Sequence, residues 1–153
     1  MNFFLKLIFL FFFVLFFSNP LHASDTNNLE NVLNNNFKLI IKSSSRTVEP
    51  VIEDLLSTKS PNLEEFLKSW KNKKLYYVKK SKLIAILKQK NSNGYELLKF
   101  SDKTSLGLFK KKEIKVIKPN SGVRSKISNA LIGFQLLNDD PNVRSKSLET
   151  LTR

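Results

Sequence analysis

The spacing of apolar residues changes twice along this chain of 153 residues, and that pattern limits the folds open to it. From about residue 25 to residue 71, apolar side chains recur every three or four residues, which is the period of an amphipathic helix. From about residue 73 to residue 118 they form short runs rich in β-branched and aromatic residues, which are typical of strands. The helical spacing returns after residue 119. The sequence therefore predicts an α+β fold in which, along the chain, a helical lobe comes first, a small antiparallel sheet second and a helical hairpin last.

The first 23 residues are different, because they are strongly apolar and carry a single charge. Lys6 is followed by an apolar block from Leu7 to Phe17, and a helix-breaking segment then leads to the small residue Ala23. This order is the layout of a secretory signal peptide, and the block is shorter than the roughly 20 residues that span a bilayer. We predict a signal peptide over residues 1–23, with cleavage between Ala23 and Ser24. An uncleaved membrane anchor is the alternative.

The predicted mature chain contains no cysteine and no further long apolar run. Its length allows one modest core. The signal peptide predicts export to the periplasm, and a chain without cysteine must fold there without disulfides. Thiol catalysis and cysteine-ligated metal are excluded.

Residues 24–72 are predicted to form a lobe of three short helices. Thr47 is suited to cap the second helix, and Ser60 with Pro61 supplies a cap and a first-turn proline for the third. Each helix has an apolar stripe that it cannot bury alone. The stripes are formed by Leu29, Val32, Leu33, Phe37, Ile40 and Ile41, by Val48, Val51, Ile52, Leu55 and Leu56, and by Leu63, Phe66, Leu67 and Trp70.

Residues 73–118 are predicted to form an antiparallel meander of three to five strands. The candidate strands lie in LYYVKK, KLIAILKQK, YELLKF and LGLFKKKEIKVIK, and NSNG is a turn signal between the second and the third. A helical turn between Lys110 and Lys115 is an alternative for the last of these stretches. Trp70, Tyr76 and Tyr77 are candidates for the seam between sheet and helices. An assignment as ordinary core and edge aromatics is favoured over a ligand-stacking role.

Residues 119–153 are predicted to form two helices joined by a turn at residues 138–140. Pro141 suits the first position of the second helix, and Val143, Leu148 and Leu151 are predicted to face inward from it. Such an αα-hairpin is the unit from which helical solenoids are built.

The residues that usually carry catalysis are scarce. His22, the only histidine, lies in the predicted leader, and the chain has only four glycines and no glycine-rich phosphate loop. Carboxylate pairs such as Glu64 and Glu65 are adjacent in sequence, so on a helix they point in different directions. We therefore expect no enzyme activity, no metal and no cofactor.

The terminal D-P-x-V-R pattern resembles the start of the second helix of a HEAT-type repeat. A longer succession of segments resembles the N-terminal extracytoplasmic domain of the permease subunit of urea ABC transporters, over roughly residues 46 to 153 and most closely from Trp70 onward. The segments are WKNKKLYYVKK, KLIAIL, GYEL, LG, VIKPNSGVRSKI and LLNDDPNVRSKSL.

This resemblance implies a periplasmic interaction domain that contacts the transporter's membrane subunit or its solute-binding protein. It also implies structural ladder or partner-contact roles for Arg124, Asp140, Val143 and Arg144. The sequence departs from the family at Ser147, where alanine is usual, and in having lysine at many arginine positions. Nothing after Phe17 could form the membrane channel of that family.

The formal charge of +13 has a bland and a functional interpretation. Lysine, asparagine, isoleucine and phenylalanine have AT-rich codons, so genome composition explains much of the charge, and a solvated basic face is then sufficient. The functional alternative is a free-standing exported protein that adheres to an anionic envelope surface or to nucleic acid. No nucleic-acid-binding motif supports the last of these, and the sequence indicates no oligomeric state.

Overall fold

The computed structural model describes residues 24–151, with side chains for residues 28–149. This part of the chain forms six helices and one five-stranded sheet, which confirms the predicted α+β class. The predicted leader, including Ala23, lies outside the described residues. The helices are α1 (Ser24–Asn35), α2 (Phe37–Ile41), α3 (Val48–Ser57), α4 (Leu63–Lys71), α5 (Ser121–Leu136) and α6 (Pro141–Leu151). The strands are β1 (Leu75–Val78), β2 (Ile84–Asn91), β3 (Gly94–Lys99), β4 (Ser105–Phe109) and β5 (Ile114–Val116).

All neighbouring strands of the sheet are antiparallel, in the order β4-β3-β2-β1-β5. The first four strands form the predicted meander, but β5 pairs with β1 at the other edge instead of with β4. The alternative of a helical turn between Lys110 and Lys115 is wrong for the second half of that stretch. Ile114 begins a strand there because its buried side chain lies opposite Val78 in the β1–β5 register.

The sheet is strongly curled, because only residues 110–113 connect its two edge strands, β4 and β5. In a flat five-stranded sheet the outer strands lie roughly 19 Å apart, since neighbouring strands are spaced about 4.8 Å. The connection between Phe109 and Ile114 folds into a turn in which Glu113 N–H donates to the Lys110 carbonyl at 2.9 Å, so it cannot span that width. The sheet therefore bends into a partly open barrel, which we call the barrel, and an irregularity in the register between Leu87 and Gln89 is placed to help it bend.

Two apolar clusters lie on the two faces of the sheet. The main core joins the helices to the outer face of the barrel and includes Trp70, Leu75, Ile84 and Phe100. The barrel core occupies the inner face, where Val78, Ala85, Leu97 and Ile114 are packed against Tyr76, Leu87, Tyr95, Leu106 and Phe109. The sheet thus has apolar side chains on both faces, but helices cover only one of them.

The three aromatic residues of the predicted seam lie in two different cores, Trp70 and Tyr77 in the main core and Tyr76 in the barrel core. Trp70 is fully buried in the main core, and Tyr77 packs there against Phe37 with ring centroids 5.5 Å apart. Tyr76 belongs to the barrel core, so its assignment to the seam is wrong. Successive side chains of a strand point to opposite faces, and adjacent tyrosines cannot share one.

The predicted segments 24–72 and 119–153 meet in the main core. Helix α5 packs against α4 and α3, and it contributes Val123, Ile127 and Leu131 to that core. The apolar side chains of α5 are therefore covered by α3 and α4 as well as by α6.

One predicted helix start is confirmed, since α3 begins directly after Thr47, although the predicted cap bond is absent, and a second start needs correction. Thr47 precedes α3 but its hydroxyl makes no cap hydrogen bond to the helix, and it accepts the Ser44 N–H at 3.2 Å instead. Helix α4 begins at Leu63, because Ser60 and Pro61 form a turn in which Leu63 N–H donates to the Ser60 carbonyl at 3.0 Å. Proline 61 is therefore outside the helix, two residues before its start.

The C-terminal hairpin has the predicted turn, and Asp140 Oδ1 caps α6 by accepting the Asn142 N–H at 2.9 Å. Val143 is half-buried, whereas Leu148 is 54% exposed, so its inward orientation is wrong. The side chain of Leu151 lies outside the described residues. Buried Ser147, the departure from alanine, has one O–H, which can donate either to the Val143 carbonyl at 2.9 Å or to Gln135 Oε1 at 3.2 Å; the second of these bonds joins α6 to α5.

Glu64 should stabilise the contact between α4 and α5 in a pH-dependent way. Its carboxylate is 2.7 Å from Lys68 Nζ and accepts from Gln135 Nε2 at 3.4 Å, and the hydrogen bond from Lys68 holds the pKa of Glu64 below its ordinary value of 4.5. We expect Glu64→Gln to lower the free energy of unfolding at pH 7 by about 0.5 kcal/mol. A carboxylate with a lowered pKa stabilises the fold above pH 4.5, and the effect is lost as the pH falls through the folded-state pKa.

Urea unfolding of both proteins at pH 7 and at pH 3 measures this difference, with the single Trp70 as the fluorescent probe. Exposed Glu53→Gln is the control and should change little at either pH. A Glu64→Gln effect of the same size at both pH values would contradict the assignment.

Candidate functional site

Charge is distributed unevenly along the chain. Residues 71–118, which form the barrel and its flanks, hold fifteen lysines and three acidic residues. Residues 24–70 hold five basic and seven acidic residues, and residues 119–153 hold five basic and three acidic residues. Most of the net positive charge is therefore on the barrel.

Two of the three acidic residues of the barrel are used in local structure. Glu96 accepts from Lys88 Nζ at 2.9 Å and from Gln89 Nε2 at 2.8 Å, and the Lys88 bond lowers the pKa of Glu96. Asp102 accepts the backbone N–H of Thr104 at 3.0 Å and its hydroxyl at 2.7 Å, which lowers the pKa of Asp102. Both carboxylates stay ionised at neutral pH, and each already has its partners.

The third acidic residue, Glu113, closes the turn between β4 and β5. Its carboxylate accepts the Lys110 N–H at 2.7 Å, while Lys79 Nζ donates to the Lys112 carbonyl at 2.6 Å. These bonds hold residues 110–112, which we call the lysine loop, against the barrel. The three lysine side chains of the loop are exposed.

A cleft of about 230 Å³ opens beside the lysine loop. Ile114 and Val116 of β5 supply aliphatic surface, and two tyrosines and two lysines complete the lining. The lining residues are Tyr76, Tyr95, Lys111, Ile114, Lys115 and Val116.

The two tyrosines of the cleft come from strands that are not neighbours. Tyr76 lies on β1 and Tyr95 on β3, with β2 between them, yet their ring centroids are 6.0 Å apart at an angle of 48°. The curl of the barrel brings them together. Lys90 Nζ lies 5.5 Å from the Tyr95 ring centroid, within reach of a cation–π contact.

A second cavity of about 460 Å³ lies between the α1–α2 region and the β1–β2 turn. Although it is larger, it has one aromatic ring, Phe37, whereas the smaller cleft has two and adjoins the lysine loop. We therefore regard the smaller cleft as the candidate site. The larger cavity is lined by Asn34, Asn35, Phe37, Lys38, Ser81 and Lys82.

Two further features bear on the site. Among the described residues, no cluster of three or more histidine, cysteine or acidic side chains is arranged to hold a metal ion. No helix in the same part of the chain is long and apolar enough to cross a membrane.

The residues singled out by the HEAT-like resemblance lie away from this cleft, in α5 and the hairpin. Arg124 is exposed, and Val143 is half-buried. Arg144 Nη1 donates to the carbonyls of Asn138 at 2.7 Å and Asp139 at 2.8 Å, while the Asp140 carboxylate caps α6. Both side chains thus stabilise the turn of the hairpin. A ladder between neighbouring repeats stays a prediction.

The sequence identified Tyr76 as a candidate seam aromatic but did not identify its partners in the cleft. Tyr76, Tyr95 and the pair Lys111 and Lys115 lie in three different stretches of sequence, and only the closure of the barrel brings them together. The signal within the sequence was the shortage of acidic residues between 71 and 118.

The chain matches no protein-family model, no curated protein and no solved structure.

Proposed function

We propose that this protein is a non-catalytic, exported interaction module that contacts a negatively charged partner protein through its lysine-rich barrel. The observation that carries the proposal is the separation of charge, with fifteen lysines against three acidic residues in residues 71–118. A surface of one sign speeds the encounter with a partner of the opposite sign and disfavours partners of like charge.

Codon composition does not account for this separation. AT-rich codons favour lysine over arginine throughout a chain, and would not confine the excess to one part of it. Residues 24–70 combine five basic with seven acidic residues, although they belong to the same chain. The distribution therefore supports a functional basic surface over a uniform bias.

The resemblance to urea-type permease domains suggests the class of partner. On this proposal the module acts in the periplasm, after removal of residues 1–23, on the membrane subunit or the solute-binding protein of an ABC transporter. Leu137 and Leu148 support a second contact, because the hairpin leaves them 86% and 54% exposed. Solenoid helices commonly bury such side chains against a further repeat.

Co-purification of the tagged full chain with transporter subunits tests the proposal. The barrel variant replaces the lysine loop by glutamine at Lys110, Lys111 and Lys112. The matched control replaces three exposed cations of the helical lobe by glutamine, at Lys42, Arg46 and Lys59, so both variants lose the same net charge. We expect the barrel variant to bind about tenfold more weakly and the control to bind like the parent, since exposed ion pairs contribute up to about 1 kcal/mol each. Equal losses, or no transporter component recovered with the parent, would contradict the proposal.

Adhesion to an anionic lipid surface is a second candidate, and one observation favours it. Leu108 is 55% exposed next to the lysine loop, and an exposed leucine beside cations suits the boundary between headgroups and acyl chains. Sedimentation with vesicles of 30% phosphatidylglycerol tests it, and Leu108→Ser should then weaken binding. Equal sedimentation with neutral and anionic vesicles would exclude this candidate.

A further inference from the structure

We infer that the cleft between Tyr76 and Tyr95 is the docking site for a short acidic peptide segment of the partner protein, with one aromatic or branched apolar side chain inserted into it. The inference rests on the proposed function and adds the chemistry of the partner segment and the place where it binds.

The size and lining of the cleft suit a single side chain. Its volume of about 230 Å³ is below the roughly 300–1,000 Å³ of sites that enclose a drug-sized ligand. Ile114 is 5% exposed and Val116 is half-buried, and their aliphatic groups form the floor of the cleft. Displacing water from this apolar surface favours binding. Anchoring residues of protein interfaces fill pockets of this kind.

The rings of the cleft do not suit a nucleic-acid base. Single strands are held on open aromatic faces on which bases stack. Tyr76 and Tyr95 instead contact each other, at 6.0 Å and an inclination of 48°, which is within the range of paired aromatic side chains. At that separation there is no gap between the two rings for a planar base.

Among the described residues, the cations at the rim of the cleft have no acidic partner. Lys111 and Lys115 are exposed and take part in no ion pair among the described residues. Glu113 and Asp102, the acidic residues nearest in sequence, are engaged by the Lys110 backbone and by Thr104. Carboxylates on either side of an inserted side chain would therefore meet cations that are not paired with any carboxylate in the described part of the chain.

The face of the cleft also separates it from the candidate lipid contact. Leu108 lies opposite Glu96 in the β3–β4 register, on the face that alternates with Tyr95 and Leu97. A bilayer that receives Leu108 would approach the other face of the strand. The cleft is thus a different surface from the candidate lipid contact. Since a bilayer at Leu108 would not reach the cleft, we assign the cleft to a peptide.

The cleft is held in shape before any ligand arrives. Lys79 Nζ bonds the Lys112 carbonyl at 2.6 Å, and Lys79 N–H donates to the Glu113 carbonyl at 2.9 Å, so the turn that carries Lys111 is fixed to the barrel. A preformed site spends less of the binding free energy on ordering itself.

The direct experiment is fluorescence anisotropy of the full chain with a labelled peptide, Gly-Asp-Glu-Phe-Glu-Asp-Gly, and the same peptide with alanine in place of phenylalanine. The rim variant carries Lys111→Gln and Lys115→Gln. Its matched control carries Lys42→Gln and Arg46→Gln, which lie on the helical side and remove the same charge. A third variant, Val116→Phe, fills the cleft and leaves its charges in place. Trp70 emission verifies that each variant is folded.

We expect the phenylalanine peptide to bind at least tenfold more tightly than the alanine peptide. The rim variant should lose about tenfold in affinity, and the control should lose less than twofold. Val116→Phe should remove the preference for phenylalanine and leave the affinity for the alanine peptide unchanged. Equal losses in rim variant and control, equal binding of the two peptides, or no binding of either would overturn the inference.

Two additional probes separate this inference from the proposed function. Tighter binding of labelled oligothymidine or of phosphatidylglycerol vesicles than of the peptide, with loss in the rim variant, would assign the cleft to phosphate and overturn the peptide assignment. If the cleft variants bind normally while the triple lysine-loop variant still loses its partner in co-purification, the inference fails and the proposed function stands. If the triple variant keeps its partner as well, the proposed function fails.

Discussion

Replacing Phe66 by alanine is expected to lower the free energy of unfolding by about 3–5 kcal/mol, the range for deleting a fully buried aromatic side chain. Phe66 is 0% exposed, and its ring lies between α4 and the end of β3. Its centroid is 5.9 Å from that of Trp70 and 5.2 Å from that of Phe100, with an edge-to-face angle of 83° to Phe100. Removing the ring would leave a cavity where the helices meet the sheet, because neighbours on separate elements cannot close it without moving the backbone.

Urea unfolding measures this loss by two signals, the emission of Trp70 and the circular dichroism of the backbone. Because helices and sheet share the main core, both signals should shift together to lower urea concentration. Leu137→Ala is the control, since its side chain is 86% exposed and its loss should change stability by no more than about 0.5 kcal/mol. A Phe66→Ala protein that unfolds at the same urea concentration as the parent would disprove this account of the core.

Gly94→Ala is expected to destabilise the protein by about 3 kcal/mol, as the combined effect of backbone strain and a steric clash. Gly94 has a φ of +145°, a conformation that residues with a side chain rarely adopt. A Cβ atom at this position would lie 2.6 Å from the Phe109 carbonyl oxygen, which is backbone and cannot rotate away. Gly94 also begins β3, where its N–H donates to Asn91 Oδ1 at 3.1 Å.

The matched control for this change is Gly133→Ala in α5. A Cβ atom at Gly133 meets nothing within 4 Å, and alanine in a helix is favoured over glycine by about 1 kcal/mol. The two substitutions add the same methyl group and should therefore shift the thermal unfolding midpoint in opposite directions. Equal shifts would mean that the close approach of β3 and β4 at Gly94 does not matter to stability.

The clash at Gly94 also links stability to the candidate site. Tyr95, the next residue, lies opposite Phe109 in the β3–β4 register. Strands pushed apart at Gly94 would move the Tyr95 ring relative to Tyr76. Among molecules of Gly94→Ala that remain folded, we therefore expect weaker binding of the phenylalanine peptide.

Much of the local structure was predictable, because local structure follows from local spacing. Helices over the second and third apolar stripes and strands in LYYV and YELLK appear where the two periods placed them. The first stripe, predicted to be one helix, is divided between α1 and α2, so the lobe has four helices instead of three. The errors occur where a distant contact overrides a local signal. Pro61 carries a helix-start signal, yet it lies in a turn, and Asn62 after it donates to the Ser101 carbonyl at 3.0 Å, 39 residues away.

The candidate site was predictable only as a composition. Lysines and tyrosines between residues 71 and 118 suggested a basic surface, and the lack of acidic residues there could be counted. Which of these side chains share a cleft could not be inferred. A strand pattern with apolar residues on both faces indicates that both are covered or enclosed, without saying by what.

The sequence by itself determined the α+β class, the order of the elements and the excess of positive charge in the middle of the chain. Each of these depends only on residue type and on spacing between residues close in sequence. Only the tertiary structure decided that β5 pairs with β1, that the sheet curls into a barrel, and that Tyr76 meets Tyr95 across an intervening strand. The physical reason is that strand pairing joins residues far apart in the chain, and the choice of partner depends on the buried area and hydrogen bonds of the whole sheet.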